Sequence, residues 1–148
     1  MKTLIQTLTA LLLSFGFSLS AEETPQAPAM TEAQAIEVLM KIDTFGFGPA
    51  RGQVERASDT AFKALLSTPN AKEKFTTLFE KGSTCSKLYA LSALHSIDPP
   101  AFEKLSKSIK TDEMILTQFG CIVDEVKAGE TLKSISNGDY DTECKITK

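Results

Sequence analysis

The sequence predicts an all-α fold, a small array of about six helices. Apolar residues recur at helical spacing through most of residues 31–138. These stretches are bounded by residues that cap or break helices, such as Thr31, Gly82 and Asp98-Pro99-Pro100. One of them, Leu88-Tyr89-Ala90-Leu91-Ser92-Ala93-Leu94, is apolar nearly all round and should form a central buried helix.

The first helix should start at Thr31. Thr31 and Gln34 match the capping box, in which each side chain bonds the other residue's backbone N–H. Ile36, Leu39 and Met40 then form one apolar stripe. Gly46, Gly48 and Pro49 cannot continue it. Residues 46–57 read as a glycine- and arginine-containing connection. Ser58 or Asp59 should cap a second helix running to Ser67, with Ala61, Phe62, Leu65 and Leu66 on its apolar side. Thr68-Pro69 opens a third, which Phe75, Leu78 and Phe79 carry inward and Gly82 stops. Ser83 or Thr84 caps the fourth, through Ile97. Asp98 caps a fifth over residues 99–110, with Phe102, Leu105 and Ile109 inward. Residues 114–123, MILTQFGCIV, are apolar and β-branched without a clean period. They fit a buried helix or a short hairpin about Gly120; the helical neighbours favour helix. A last short helix runs from Glu130 to Ser136, before a polar tail over 139–148.

Ala61-Phe62-Lys63-Ala64-Leu65 is echoed forty residues later by Ala101-Phe102-Glu103-Lys104-Leu105, and Phe79 by Phe119. A period of that length is what stacked helical repeats show. The block from Lys72 to Ile109 resembles one HEAT-like unit and the start of the next, over less than half of residues 22–148. That resemblance implies helix pairs and shallow binding grooves. KLYALSAL followed by FGCIV also resembles small exported bacterial proteins of unassigned function, which implies a compartment and no activity.

Residues 1–21 carry the pattern of a secretory signal peptide. Lys2 is the basic start, Leu8–Leu19 the apolar run, and Ser18, Ser20 and Ala21 the small residues of a cleavage site. Cleavage near Ala21 would deliver a periplasmic or secreted domain, joined to a short linker over residues 22–30. No cysteine stands at the cleavage site and no second long apolar run follows, so a stable membrane anchor is not expected. Export exposes Cys85, Cys121 and Cys144 to oxidation. Three thiols allow one intramolecular bridge at most, with Cys121–Cys144 favoured and Cys85–Cys121 next.

The net charge is −3, and the lysines are interleaved with acids. Nucleic-acid binding needs a clustered basic face, which is missing. His95 is the single histidine, and no nucleophile elbow surrounds any serine, so no catalytic residue is assigned. One histidine and three scattered cysteines do not match metal-ligand spacing, and no cofactor motif is present. Phe45, Phe47, Arg51 and Arg56 bring aromatics and arginines to one glycine-rich loop, the makeup of a protein-contact hot spot; the alternative is that both phenylalanines simply pin the loop to the core. The expected function is therefore an exported, non-enzymatic domain that binds a protein or peptide partner. An inhibitor or immunity-type protein acting on a basic enzyme, and a structural envelope component, are the alternatives.

Overall fold

The structure, a computed structural model, describes residues 30–49 and 55–144. The expected signal peptide over 1–21, nearly all of the expected 22–30 linker, and Arg51 lie outside the described residues. In chain order the elements are α1 (Glu32–Met40), β1 (Thr44–Phe45), α2 (Ala57–Leu66), α3 (Ala71–Lys81), α4 (Thr84–Ile97), α5 (Pro99–Ser106), β2 (Met114–Phe119), β3 (Ile122–Lys127) and α6 (Ala128–Ser136).

The expectation of an all-α fold is overturned. Three strands form a mixed sheet in the order β1-β2-β3, so the fold is α plus β. The segment 114–123 is where the reading failed. It is a hairpin, not a buried helix, because only one of its faces meets the core. Ile115 and Thr117 are buried while Met114 and Leu116 are exposed, the period of two that a half-buried strand requires. Gly120, at φ +60°, opens the two-residue turn between Phe119 and Ile122. A positive φ at that position is what a tight hairpin turn needs, and glycine adopts it without a steric penalty.

The helices follow their caps. Thr31 and Gln34 form the reciprocal capping box of α1. Ser83 caps α4 by accepting from the Ser86 N–H, and Asp98 caps α5 by accepting from the Ala101 N–H. α2 starts after Arg56, earlier than its sequence suggested, and Ser58 and Asp59 are buried in its first turn. The forty-residue echo joins unlike elements at Phe79, on α3, and Phe119, on β2.

α4 is the centre of the packing. Every residue from Leu88 to Leu94 is buried, so this helix has no solvent face over two turns. Its start also collects carbonyls from the end of α1 and the connection beyond. Ser86 Oγ donates to Leu39 O at 2.6 Å, Ser83 Oγ to Ile42 O at 2.9 Å, and Cys85 Sγ to Asp43 O at 3.3 Å. Leu39 stands in the last turn of α1, where carbonyls have no partner within the helix, and Ser86 satisfies that need. One turn and more along α4, the buried Tyr89 hydroxyl accepts from the Gly46 N–H and donates to the Gly46 carbonyl. α4 thereby fixes the path of residues 39–46 and lays β1 beside β2. The register is parallel, Thr44 opposite Leu116 and Phe45 opposite Thr117.

The 139–144 segment is not a solvated tail. It runs in turns against the core, with Cys144 buried and the Tyr140 ring against Phe45 and Phe47 at centroid distances of 5.3 and 5.6 Å. His95 Nδ1 and Asp141 Oδ1, 2.9 Å apart, fasten this segment to the end of α4.

Candidate functional site

The β2–β3 hairpin is the distinctive surface. Opposed residues of an antiparallel pair share a face. One face carries Ile115 opposite Val126 and Thr117 opposite Asp124, and its buried members rest on the helices. The other carries Met114 opposite Lys127, Leu116 opposite Glu125, and Gln118 opposite Val123. An outward sheet face is ordinarily polar. Here Met114 is 48 %, Leu116 43 % and Val123 54 % exposed. Phe119 and Ile122 belong by parity to the inner face but lie past the edge of the core, 46 % and 64 % exposed. Phe119 is steadied from one side by Tyr140, nearly parallel at 6.3 Å between centroids. Among the described residues the sixth exposed large apolar side chain is Ile97, and the other five all belong to this hairpin. β3 is an edge strand, with one side unpaired in the sheet.

The hairpin is held in place at Gln118. Gly46 passes so close that a Cβ there would lie 2.1 Å from Gln118 O. Arg56 Nη1 donates to the same carbonyl at 3.2 Å. Arg56 is oriented in turn by Asp59, with Nε 3.7 Å from Oδ2, and that Oδ2 accepts from the Gly48 N–H at 3.1 Å. Burial raises the Asp59 pKa, and the Arg56 charge opposes the rise.

Beside the outward face lies a cleft of about 230 Å³. Its lining includes the carboxylates Asp43, Glu113 and Glu125 and the apolar Met114 and Leu116. None of the three carboxylates makes an ion pair among the described residues.

Of the loop residues singled out from the sequence, Phe45, Phe47 and Arg56 are among the described residues. Phe45 is fully buried and Phe47 nearly so, in an aromatic cluster with Phe62, Tyr89 and Tyr140. Neither ring presents a surface to a partner; both pin the glycine-rich loop to the core. Arg56 faces the hairpin backbone with little of its side chain in solvent. The sequence reading passed over the hairpin residues because 114–123, which has no clean period, takes its helical assignment from its helical neighbours. Its β-branched content and Gly120 were the available signals.

All three cysteines are free in the structure, and no disulfide joins them there. Cys121 sits exposed at the hairpin turn, Cys85 points to Asp43 O, and Cys144 donates to Ser92 O at 3.2 Å. Burial first, then Asp43 and Glu113, push the Cys85 thiol from 9.0 up to about 11. The unfolded chain ionises this thiol first, so the native state holds more protons between these values. Stability should therefore fall as pH rises from 9.0 to about 11. Urea titrations across that window should show a shallower decline for Cys85→Ala; identical slopes would exclude Cys85 as the source.

His95 has its Nδ1 occupied by Asp141, whose Oδ1 also accepts from Ser96 Oγ, and its ring meets Phe102 edge-on at 4.9 Å. These contacts describe a fastening between α4 and the C-terminal turns. Among the described residues no group of three or more His, Cys, Asp or Glu side chains is placed to hold a metal ion. No helix described is long and apolar enough to cross a membrane. Compared with known protein families, with curated proteins and with solved structures, the chain matches none of them.

Proposed function

We propose that this chain is an exported, non-enzymatic interaction domain that engages a protein or peptide partner through the β2–β3 hairpin. One observation carries the reading. Among the described residues, five of the six exposed large apolar side chains are gathered on one hairpin, while the helices expose only Ile97. Apolar side chains concentrated on a small exposed element mark an interaction surface, whereas scattered ones do not. The open edge of β3 adds backbone donors and acceptors that an extended partner segment can use. Export rests on the N-terminal pattern of Lys2, the Leu8–Leu19 run and Ala21.

The test uses the full chain in its own cell envelope. A photo-crosslinking side chain placed at Ile122 should trap one defined partner, and the same group at Lys104 on α5 should not. After reconstitution from purified components, Leu116→Asp and Ile122→Asp should each weaken binding by about tenfold or more, as the loss of a central apolar contact does. Circular dichroism and melting curves should stay near wild type, because both side chains are exposed. Equal affinity for all three proteins would refute the hairpin as the contact surface.

A further inference from the structure

The outward face of the sheet has a charge character that defines what can cover it. Met114 and Leu116 form the apolar floor, and Val123 extends it toward the edge strand. Asp43, Glu113 and Glu125 stand around the adjoining cleft of about 230 Å³. They come from three parts of the chain: the end of the α1–β1 connection, the approach to β2, and β3. Lys127 lies at the end of the same outward row, and Lys87 and Lys110 line the neighbouring cleft that Glu113 borders on its other side. None of the three carboxylates is neutralised by an ion pair among the described residues. Their field reaches inward as well, since both Asp43 and Glu113 disfavour ionisation of the buried Cys85 thiol.

We infer that this face binds a basic, apolar partner segment, one that sets a Lys or Arg among Asp43, Glu113 and Glu125 and lays aliphatic or aromatic side chains on Met114, Leu116 and Val123. The inference rests on the hairpin reading above and names its partner's chemistry. Opposite charge decides between the possible occupants. A second copy of this chain would bring the same carboxylates against their own kind, and like charges brought together at an interface are costly. A purely apolar partner would desolvate the carboxylates without replacing the lost water contacts. A basic segment meets both requirements. Its apolar side chains remove Leu116 from water, and its cation restores the interactions the carboxylates lose. In an extended segment the side chains on one face come from every second position, so the apolar group and the cation that meet this face stand two residues apart.

The probes are three soluble synthetic peptides that carry Leu and, two residues on, Lys, Gln or Glu, so that both kinds share one face of an extended segment; each is titrated against the full isotope-labelled chain and followed by amide and methyl resonances. The Lys-Leu peptide should shift the signals of residues 113–116 and 123–125. Its affinity should fall as salt is raised, because exposed charge pairs are screened. The Gln-Leu peptide should bind roughly tenfold more weakly, and the Glu-Leu peptide should leave these signals in place. Glu113→Gln combined with Glu125→Gln should remove the preference for lysine. Both side chains face solvent, so the double variant is expected to fold. Lys-Leu shifts spread over the helices, or a lysine preference untouched by the double variant, would overturn the inference. Concentration-dependent sedimentation with loss of the Leu116 and Val123 signals would overturn it in favour of self-association. The two readings fail separately. If Leu116→Asp abolishes binding of the crosslinked partner while the double Gln variant binds it normally, the surface stands and the basic partner falls.

Discussion

Gly46→Ala should be one of the two most damaging substitutions considered among the described residues. Gly46 sits at φ +151°, and an added Cβ would lie 2.1 Å from Gln118 O and 3.0 Å from its carbonyl carbon. Those atoms are backbone, so no side-chain rotation relieves the clash. Either the β1–β2 pairing opens or the hairpin is displaced. The Tyr89 hydroxyl, which both accepts from and donates to Gly46, would lose a well-placed partner in a buried site. Strain at a left-sided φ together with a broken buried contact places the cost at about 3 kcal/mol or more. For a domain of this size that lowers the melting temperature by roughly 10 °C. Thermal melts give the first measure. Amide exchange gives the second, with the largest loss of protection expected at residues 114–118. A variant that melts within a degree or two of wild type would show that the sheet does not depend on this close approach.

Phe47→Ala is expected to cost about 3–5 kcal/mol, the range for emptying a buried aromatic site. The ring lies 5.7 Å from Phe45, 5.0 Å from Phe62, 5.1 Å from Tyr89 and 5.6 Å from Tyr140, centroid to centroid. Its removal leaves a cavity where the glycine-rich loop, α2, α4 and the C-terminal turns meet. Urea unfolding should record the loss. Binding of the crosslinked partner should be unchanged once the folded fraction is accounted for, because the ring is nearly fully buried. A loss of partner affinity in the folded fraction, at undiminished stability, would restore this loop as a contact surface.

These two residues mark where sequence reasoning works and where it stops. Phe45, Gly46, Phe47 and Gly48 attract notice in the sequence, because aromatics between glycines are unusual after a helix. That pattern does not say whether the rings point outward to a partner or inward. The direction is settled by Tyr89, more than forty residues away, which captures Gly46 and draws both rings against α4. Met114–Val123 has the same character. Its composition fits a helix or a hairpin, and a local window cannot choose between them. Pairing with Thr44 and Phe45 across some seventy residues chooses the strand.

Residues 139–144 extend the lesson. A polar run ending in a cysteine reads as a frayed tail, yet Tyr140, Asp141 and Cys144 each find a partner on α4 or the aromatic cluster. The cysteines were paired on the basis of compartment and number. Their positions place two of them inside the fold on different carbonyls and the third at an exposed turn.

What the sequence determined by itself is local. The capping box at Thr31, the Ser83 and Asp98 caps, the stop at Gly82 and the buried stripe of α4 all follow from neighbours within one or two turns. The tertiary structure alone decided the sheet, the inward turn of Phe45 and Phe47, and the exposure of Met114, Leu116, Phe119, Ile122 and Val123. The physical reason is the range of the interactions. A helix satisfies its backbone from four residues away. A strand must find its partner elsewhere in the chain, and which of its faces meets water depends on what the rest of the fold has left uncovered.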